Sequence, residues 1–588
     1  MRFDGGGRWA PARRLIPCRE WPRLTPESVR ADLIAGIAVA LVLIPQSMAY
    51  AALAGLPPYY GLYAAFLPVI VAAAWGSSPQ LATGPVAVVA LLTASALTPL
   101  ADPGSGEFIT LAIALAFLVG AIQLVLGLFS LGTLVNFLAH PVILGFTNAA
   151  ALVIALSQVN DLLGVSLDRD AGLLVAFADV LGRLDETHPP TLAMGLGALA
   201  LMLAARRWLP RIPGVLLAVA IGVPVSYLVG YEALGGAVVG TVPEGLPAPA
   251  LPELTWDLVL TLLGTAAVIA LVAFMEAISI AKALATRTRD RLDPNQELVG
   301  QGLANLTASA FQAFPVSGSF SRSAVNFDSG ARSGLASVFT AALVGLTLLF
   351  LTPLLYHLPE AVLAAIIIMA VTGLVNIRAL AQTWRTHRDD GIAALVTFGG
   401  TLVFAPHLDY GILIGAGLAI LLYLLRTMRP RVVVLSRHPE DGALRDARVF
   451  GLPESEHIAA LRFDGPLYFA NVGHLEDAVL QVNNEHPRAR FLLLVADGIT
   501  SIDSSGVESL HGLRERLHDS GVTLVLAGVK LQVREVMQRA GLDAEIGTEN
   551  IFRHEDDAIE AIHQRIDDPG FDPAQCPLAP RRGDGAAA

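Results

Sequence analysis

The sequence predicts a polytopic α-helical membrane protein followed by a smaller soluble α/β domain. Three observations carry that reading. Of 588 residues, 54% are hydrophobic and only 15% charged, with a mean hydropathy of +0.59, whereas a soluble domain carries about 25% charged residues. Apolar stretches of membrane-spanning length recur along most of the chain. After residue 430 the character changes, and short strand-like runs alternate with amphipathic stretches.

A spanning helix needs about 20 mainly apolar residues, because lipid offers its backbone no hydrogen-bonding partner. Candidate spans fall near 31–50, 61–76, 84–99, 108–129, 141–160, 190–208 and 212–229. A second series falls near 256–282, 296–313, 319–328, 334–355, 360–376, 389–404 and 409–427, giving 14 spans as seven plus seven. Loop charge tests this count independently, since cytoplasmic loops are enriched in Lys and Arg. The segments ARRWLPR, KALATRTRDRLD, NIRALAQTWRTHRDD and RTMRPR are basic, whereas TPLADPGSGEF, residues 161–186 and residues 230–256 are acidic. A single topology satisfies them all, with both termini in the cytoplasm. The expected organisation is a cytoplasmic N-terminal segment at 1–29, a membrane domain at 30–428, a cytoplasmic soluble domain at 429–567 and a disordered tail at 568–588.

Two segments read badly as plain membrane helices. SSPQLATGPV near 77–86 and FPVSGSFSR near 314–322 place Pro, Gly and hydroxyls at hydrocarbon depth, third in each series of seven. Non-helical backbone survives there only when buried in protein or lining a cavity. Interrupted segments in matching positions of two halves point to a binding site between the repeats.

Each break opens a helix, whose first N–H groups are unpaired and carry about half a positive charge. An anion is held by such donors without any formal charge. Ser317, Gly318, Ser319, Phe320, Ser321 and Arg322 open the tenth span, and Thr83, Gly84, Pro85 and Val86 open the third. Ser319 and Ser321 add hydroxyl donors or serve in packing and capping; Gly318 is expected to let a ligand approach the backbone. Arg322 is an intramembrane charge and so a functional candidate, contributing field at an anion site or pairing with a carboxylate. Glu276 sits in TAAVIALVAFMEAISIA with apolar residues on every side. Burial disfavours a carboxylate's charged form, so Glu276 is suited to coupling through a proton or Na⁺, the alternative being an ion pair with Arg322. Gln46, in a first span that Pro45 interrupts, with Tyr50 one turn on, either donates to the anion or bonds between helices.

The soluble domain shows strand-like IAALRFDG, LYFANV, RFLLLVAD and VTLVLAGV between helical HLEDAVLQVNN and SSGVESLHGLRERLHDSG. It contains no catalytic cluster, so no enzyme is expected. The net charge of −12 argues against nucleic acid, no GxxxxGK[ST] loop points to ATP, and Cys18 and Cys576 form neither a metal site nor a disulfide framework. No metal or cofactor is expected. The N-terminus lacks a secretory signal.

At these motifs the chain resembles the sulfate permease (SulP) family of anion transporters. IPQSMAYAALAGLPPYYGLYAAFLP, LATGPVAVVALL, ELVGQGLAN and FPVSGSFSRSAVN are similar to its signatures, and the soluble domain resembles the sulfate transporter and anti-sigma-factor antagonist (STAS) domain with its DSSG turn. The resemblance implies a 7+7 inverted repeat with two half-helices, a core domain moving against a gate domain, and a homodimer in the inner membrane. It implies an anion site on Gln46, Tyr50, Val86, Ser319, Phe320 and Ser321, and cation coupling at Glu276. It makes Ser505 a regulatory candidate, phosphorylated in bacterial anti-sigma antagonists and read here first as a structural turn. The expected partners are an inorganic or carboxylate anion, a coupling cation (H⁺ or Na⁺), the bilayer, a second copy of the chain and a cytoplasmic regulator. Proton-coupled sulfate uptake is the leading expectation. Na⁺-coupled bicarbonate transport, proton-coupled C4-dicarboxylate transport and a passive channel or exchanger are its alternatives on the same fold. A membrane-anchored signalling protein would not need broken half-helices and a buried Glu.

Overall fold

The computed structural model describes residues 14–18, 21, 24–132, 139–165, 179, 182–209, 212–405 and 407–580. Most of the N-terminal segment 1–29 before helix α1, the centre of the acidic 161–186 loop, Pro210 and Arg211 of ARRWLPR, and residues 581–588 of the tail lie outside them. The chain divides into two compact units, Met1–Ala419 and Ile420–Ala588.

In the first unit the helices at the predicted spans are α1 (Pro26–Leu53), α2 (Leu67–Trp75), α3 (Ala87–Leu97), α4 (Gly106–Leu128), α5 (His140–Ser157), α6 (Pro189–Trp208) and α7 (Gly214–Val229). There follow α8 (Trp256–Thr288), α9 (Pro294–Ala310), α10 (Phe320–Asp328), α11 (Leu335–Leu346), α12 (Glu360–Thr372), α13 (Arg388–Val403) and α14 (Leu408–Thr427), which runs on into the second unit. Every predicted span thus contains helix. Among the described residues, 8 helices are long and apolar enough to cross a membrane individually. Local chemistry sets their ends: Thr25 and Ser28 form a capping box on α1 with Pro26 in its first turn, and Asp293 caps α9 by accepting from Asn295 and Gln296 N–H. Helix α1 passes through Pro45 without a break.

Two packed groups result. Helix α9 lies along α4 and α2, α8 along α4, and α11 along α1; separately, α13 packs on α5, and α6 on α12 and α7. The α4–α9 contact is backbone on backbone: a Cβ at Gly302 would stand 2.5 Å from Leu124 N, and one at Gly120 2.6 Å from Leu306 N. Small residues of this kind let membrane helices approach closely. Helix α14 sits on α13, where Gly411 and Gly415 meet Thr401 and Thr397.

The two breaks meet. Thr83–Gly84 (β1) and Ser317–Gly318 (β2) form an antiparallel ladder, pairing Thr83 with Gly318 and Gly84 with Ser317.

The second unit is an α/β domain. Its strands are β3 (Arg431–Arg437), β4 (Leu444–Asp446), β5 (Ile458–Asp464), β6 (Phe491–Val495), β7 (Thr523–Ala527) and β8 (Ile551–Phe552), in the order β4-β3-β5-β6-β7-β8. β5 to β8 are parallel and β3 antiparallel to both neighbours. Alternate strand residues point to opposite faces. Leu461 and Leu494 therefore join a core with helices Val472–Glu485 (α15) and Ser504–Asp519 (α16), while Ala460 and Leu493 face Glu555–His563 (α18, after α17 at Leu531–Arg539). The run LYFANV is not a strand: apart from a bridge between Leu467 and Ile502 it is a turn leading into α15. The strands β3 and β4 complete the sheet on the other edge.

Residues 568–580 correct the reading of a disordered tail. Cys576 and Leu578 are buried at 8% and 0% exposure in the core beneath α18, and Arg437 Nε donates to Leu578 O at 3.1 Å. Their apolar side chains cover a sheet face that α18 alone leaves open. Leu578→Ala is expected to lower the stability of this unit by about 2–5 kcal/mol, the usual cost of deleting a buried Leu, read as a lower denaturant midpoint for its unfolding.

Candidate functional site

The β1–β2 ladder places two helix N-termini side by side. Val86 is the N-cap of α3 and Ser319 that of α10, both extended, with no side-chain cap on either helix. The first intrahelical bonds are Ala90 N to Val86 O at 2.9 Å and Ser323 N to Ser319 O at 3.0 Å. The N–H groups of Ala87, Val88 and Val89, and of Phe320, Ser321 and Arg322, therefore precede any intrahelical partner. Ser319 N itself donates to Ala82 O at 2.9 Å, which locks the crossing.

A cavity of about 460 Å³ opens at these ends. Gln46 and Tyr50 of α1, Val86, Ala87 and Val88 of α3, Glu276 of α8, and Ser319, Phe320 and Ser321 of α10 line one side. The opposite wall comes from the other helix group: Met202 and Arg206 of α6, Pro213 to Val215 at the start of α7, and Ile366, Met369 and Ala370 of α12. One wall is polar and the other mostly apolar. Gln46 Oε1 and Glu276 Oε2 are buried, and among the described residues neither has a hydrogen-bond partner. Ser319 Oγ lies 3.4 Å from Ser321 Oγ, and Phe320 is 66% exposed.

The remaining predicted site residues stand behind this surface. Thr83 Oγ1 accepts from Gln301 Nε2 at 2.9 Å, and Ser317 Oγ donates to Ala273 O in α8 at 2.7 Å, so both hydroxyls face protein. Gly318 does not serve ligand approach: a Cβ there would stand 2.9 Å from Leu81 Cδ1 and 3.1 Å from Ala277 Cα, so glycine admits α8. Gly84 has φ +150°, and its Cβ would stand 3.2 Å from Arg322 Nη2, so glycine makes room for the guanidinium. Arg322 is 0% exposed and does not line the cavity. Among the described residues its Nε, Nη1 and Nη2 have no hydrogen-bond partner. No hydrogen-bonded ion pair with Glu276 forms, although the two charges act on each other through space.

Sequence reasoning missed Arg206, a cation on the apolar wall, which it read only as one of several basic loop residues. It expected first-turn amides on the third span but opened that helix at Thr83, whereas the structure starts it at Ala87 and brings Ala87 and Val88 to the cavity. In the second unit, Asp503 caps α16 by accepting from Gly506 N at 2.8 Å, placing Ser505 in the first turn of that helix.

Comparison with known proteins agrees with this architecture. Residues 29–397 match the sulfate permease family and residues 450–558 the STAS domain. The chain is 37% identical to the chloroplastic sulfate transporter 4.1 of Arabidopsis thaliana, covering 94% of this chain and 83% of that protein. A probable sulfate transporter of Mycobacterium tuberculosis is 33% identical, covering 95% and 98% respectively. Among solved structures, murine Solute Carrier 26 family member A9, an anion transporter, superposes with a TM-score of 0.86 at 23% identity, over 95% of this chain and 96% of that one. The transmembrane domain of a cyanobacterial bicarbonate transporter, BicA, gives 0.56 at 21% identity, over 68% and 99%.

Proposed function

We propose, from the premise that the chain belongs to the sulfate permease family, that it is a secondary active transporter carrying sulfate together with protons across the inner membrane. Membership makes it a multi-pass membrane protein with a C-terminal STAS domain, in a family of transporters rather than enzymes. The observation that carries the finer reading is a cavity shared by two helix N-termini without side-chain caps, Gln46, Tyr50, Ser319, Ser321 and Glu276. The amides and hydroxyls hold the anion, and the helix ends supply the field. Relatives at 37% and 33% identity named as sulfate transporters support sulfate as the cargo.

Glu276 supplies coupling. An ionised carboxylate facing the same cavity repels an entering dianion, whereas a protonated one does not. Proton and anion therefore each favour the other's binding, by the same factor in both directions. Arg206 adds a cation at the opposite wall and draws anions in before they reach the amides.

The loop charges support cytoplasmic termini, and the family pattern supports a homodimer, with the STAS domain and its Ser505 turn open to a cytoplasmic regulator. Radiolabelled sulfate uptake into proteoliposomes, with and without an inward proton gradient, tests the reading. Gradient-stimulated uptake that resists excess bicarbonate, fumarate and chloride is expected. Absence of sulfate uptake, with Na⁺-dependent bicarbonate flux, dicarboxylate flux or gradient-independent exchange instead, would replace cargo and coupling ion while keeping the site.

A further inference from the structure

Helix α9 carries a row of polar side chains that binding and coupling do not call on. Glu297, Gln301 and Asn305 recur at every fourth residue and so share one face. They are 2%, 1% and 0% exposed. Buried polar groups in a membrane helix are costly unless they bond to a neighbour, and these bond to both broken segments. Glu297 Oε2 accepts from Ser77 N at 2.9 Å, Ser77 Oγ at 3.2 Å and Ser78 N at 3.2 Å. Gln301 Nε2 donates to Thr83 Oγ1 at 2.9 Å and to Glu297 Oε1 at 3.2 Å. Asn305 Oδ1 accepts from Val316 N at 2.8 Å, and its Nδ2 donates to Val316 O at 3.1 Å and to Gln123 Oε1 of α4 at 3.0 Å.

The two grips are matched. Gln301 holds Thr83, three residues before the N-cap Val86, and Asn305 holds Val316, three residues before the N-cap Ser319. Between Gln301 and Asn305 the helix rises by about 6 Å, a spacing fixed by its own hydrogen bonds. The β1–β2 ladder sets how the segments cross, and α9 sets where along its axis each is held.

We propose that this row on α9 is a positioning element that determines anion specificity, by fixing the separation of the two donor clusters that start α3 and α10. The inference rests on the anion site proposed above. An N–H···O bond spans about 2.7–3.2 Å, so a donor shifted by about 1 Å is lost to an oxyanion whose oxygens are held in a rigid tetrahedron. A spherical monovalent anion needs the field more than the spacing and loses less.

The test is binding of radiolabelled sulfate to the purified full-length chain, with chloride affinity read by competition. Thr83→Val and Gln301→Met both remove the Thr83–Gln301 bond, and Gln301→Met also removes the bond to Glu297. Each is expected to weaken sulfate about tenfold while chloride changes less than about threefold, and the double variant is expected to be no worse than Gln301→Met alone, which already lacks the shared bond. Asn305→Leu releases the second grip and is expected to shift the sulfate-to-chloride ratio in the same direction. A merely structural role would lower the melting temperature and leave that ratio alone. A wild-type ratio in folded Thr83→Val and Gln301→Met proteins overturns the proposal. If instead wild-type binding is indifferent to Ser319→Leu inside the cavity, the anion site itself is misplaced and both readings fall together.

Discussion

Glu276→Gln is expected to leave sulfate binding within a few-fold of wild type and to abolish the response of uptake to a proton gradient. The amide keeps the shape and hydrogen-bonding capacity of the side chain but takes up no proton in the physiological range. Each pH unit across the membrane is worth about 1.4 kcal/mol per proton, so a transporter coupled to one proton per anion accumulates cargo up to about tenfold per unit. The variant is expected to equilibrate sulfate without accumulating it, as a facilitator does. The measurement is uptake into proteoliposomes at several imposed gradients. The outcome that sinks the assignment is an unchanged slope of accumulation against gradient. Because Glu276 Oε2 has no hydrogen-bond partner among the described residues, no structural bond is broken by the change, and the fold should persist.

Arg322→Leu is expected to separate affinity from stability. The guanidinium is fully buried, and among the described residues none of its three nitrogens has a hydrogen-bond partner, an arrangement that costs the fold free energy. Removing the charge should leave melting unchanged or raise it. At the same time the cavity loses a positive field. At an effective dielectric constant of 20, a unit charge about 6–10 Å away contributes roughly 2–3 kcal/mol for each charge on the anion, so sulfate affinity is expected to fall at least about 30-fold. Calorimetric binding and a melting curve on the same preparation read both effects. Undiminished affinity would make Arg322 a structural residue without a role at the site.

How far the sequence revealed this site depends on whether a residue's chemistry lies in its side chain. Gln46, Tyr50, Glu276, Ser319 and Ser321 are conspicuous polar groups in apolar runs, and the structure brings all of them to one cavity. Thr83, Ser317 and Gly318 stood out equally but turn away, because a polar residue beside a break is as well suited to bracing the break as to meeting a ligand. That distinction depends on which way an extended segment faces, and a two-residue strand offers too little periodicity to decide it. The row Glu297, Gln301, Asn305 was readable as a four-residue repeat in the ninth span, but what it grips lies more than two hundred residues away for Ser77 and Thr83. For the fold, hydropathy placed the long apolar helices because burial in lipid leaves a long signal, whereas the short α10 was marked by its break. The tail was misread because a few buried residues such as Cys576 and Leu578 are lost among polar neighbours in a composition count.

The first-turn amides of α3 and α10 have an evolutionary consequence. A donor that belongs to the main chain is deleted by no point mutation except one to proline; Ala87 and Val88 can drift among other small apolar residues while the N–H groups beneath them stay in place. Recognition of this kind is inherited through backbone path more than through residue identity. If the proposed anion site is right, lineages can then diverge far in sequence and retain it, changing cargo through the few side chains, such as Ser319 and Gln46, at its rim.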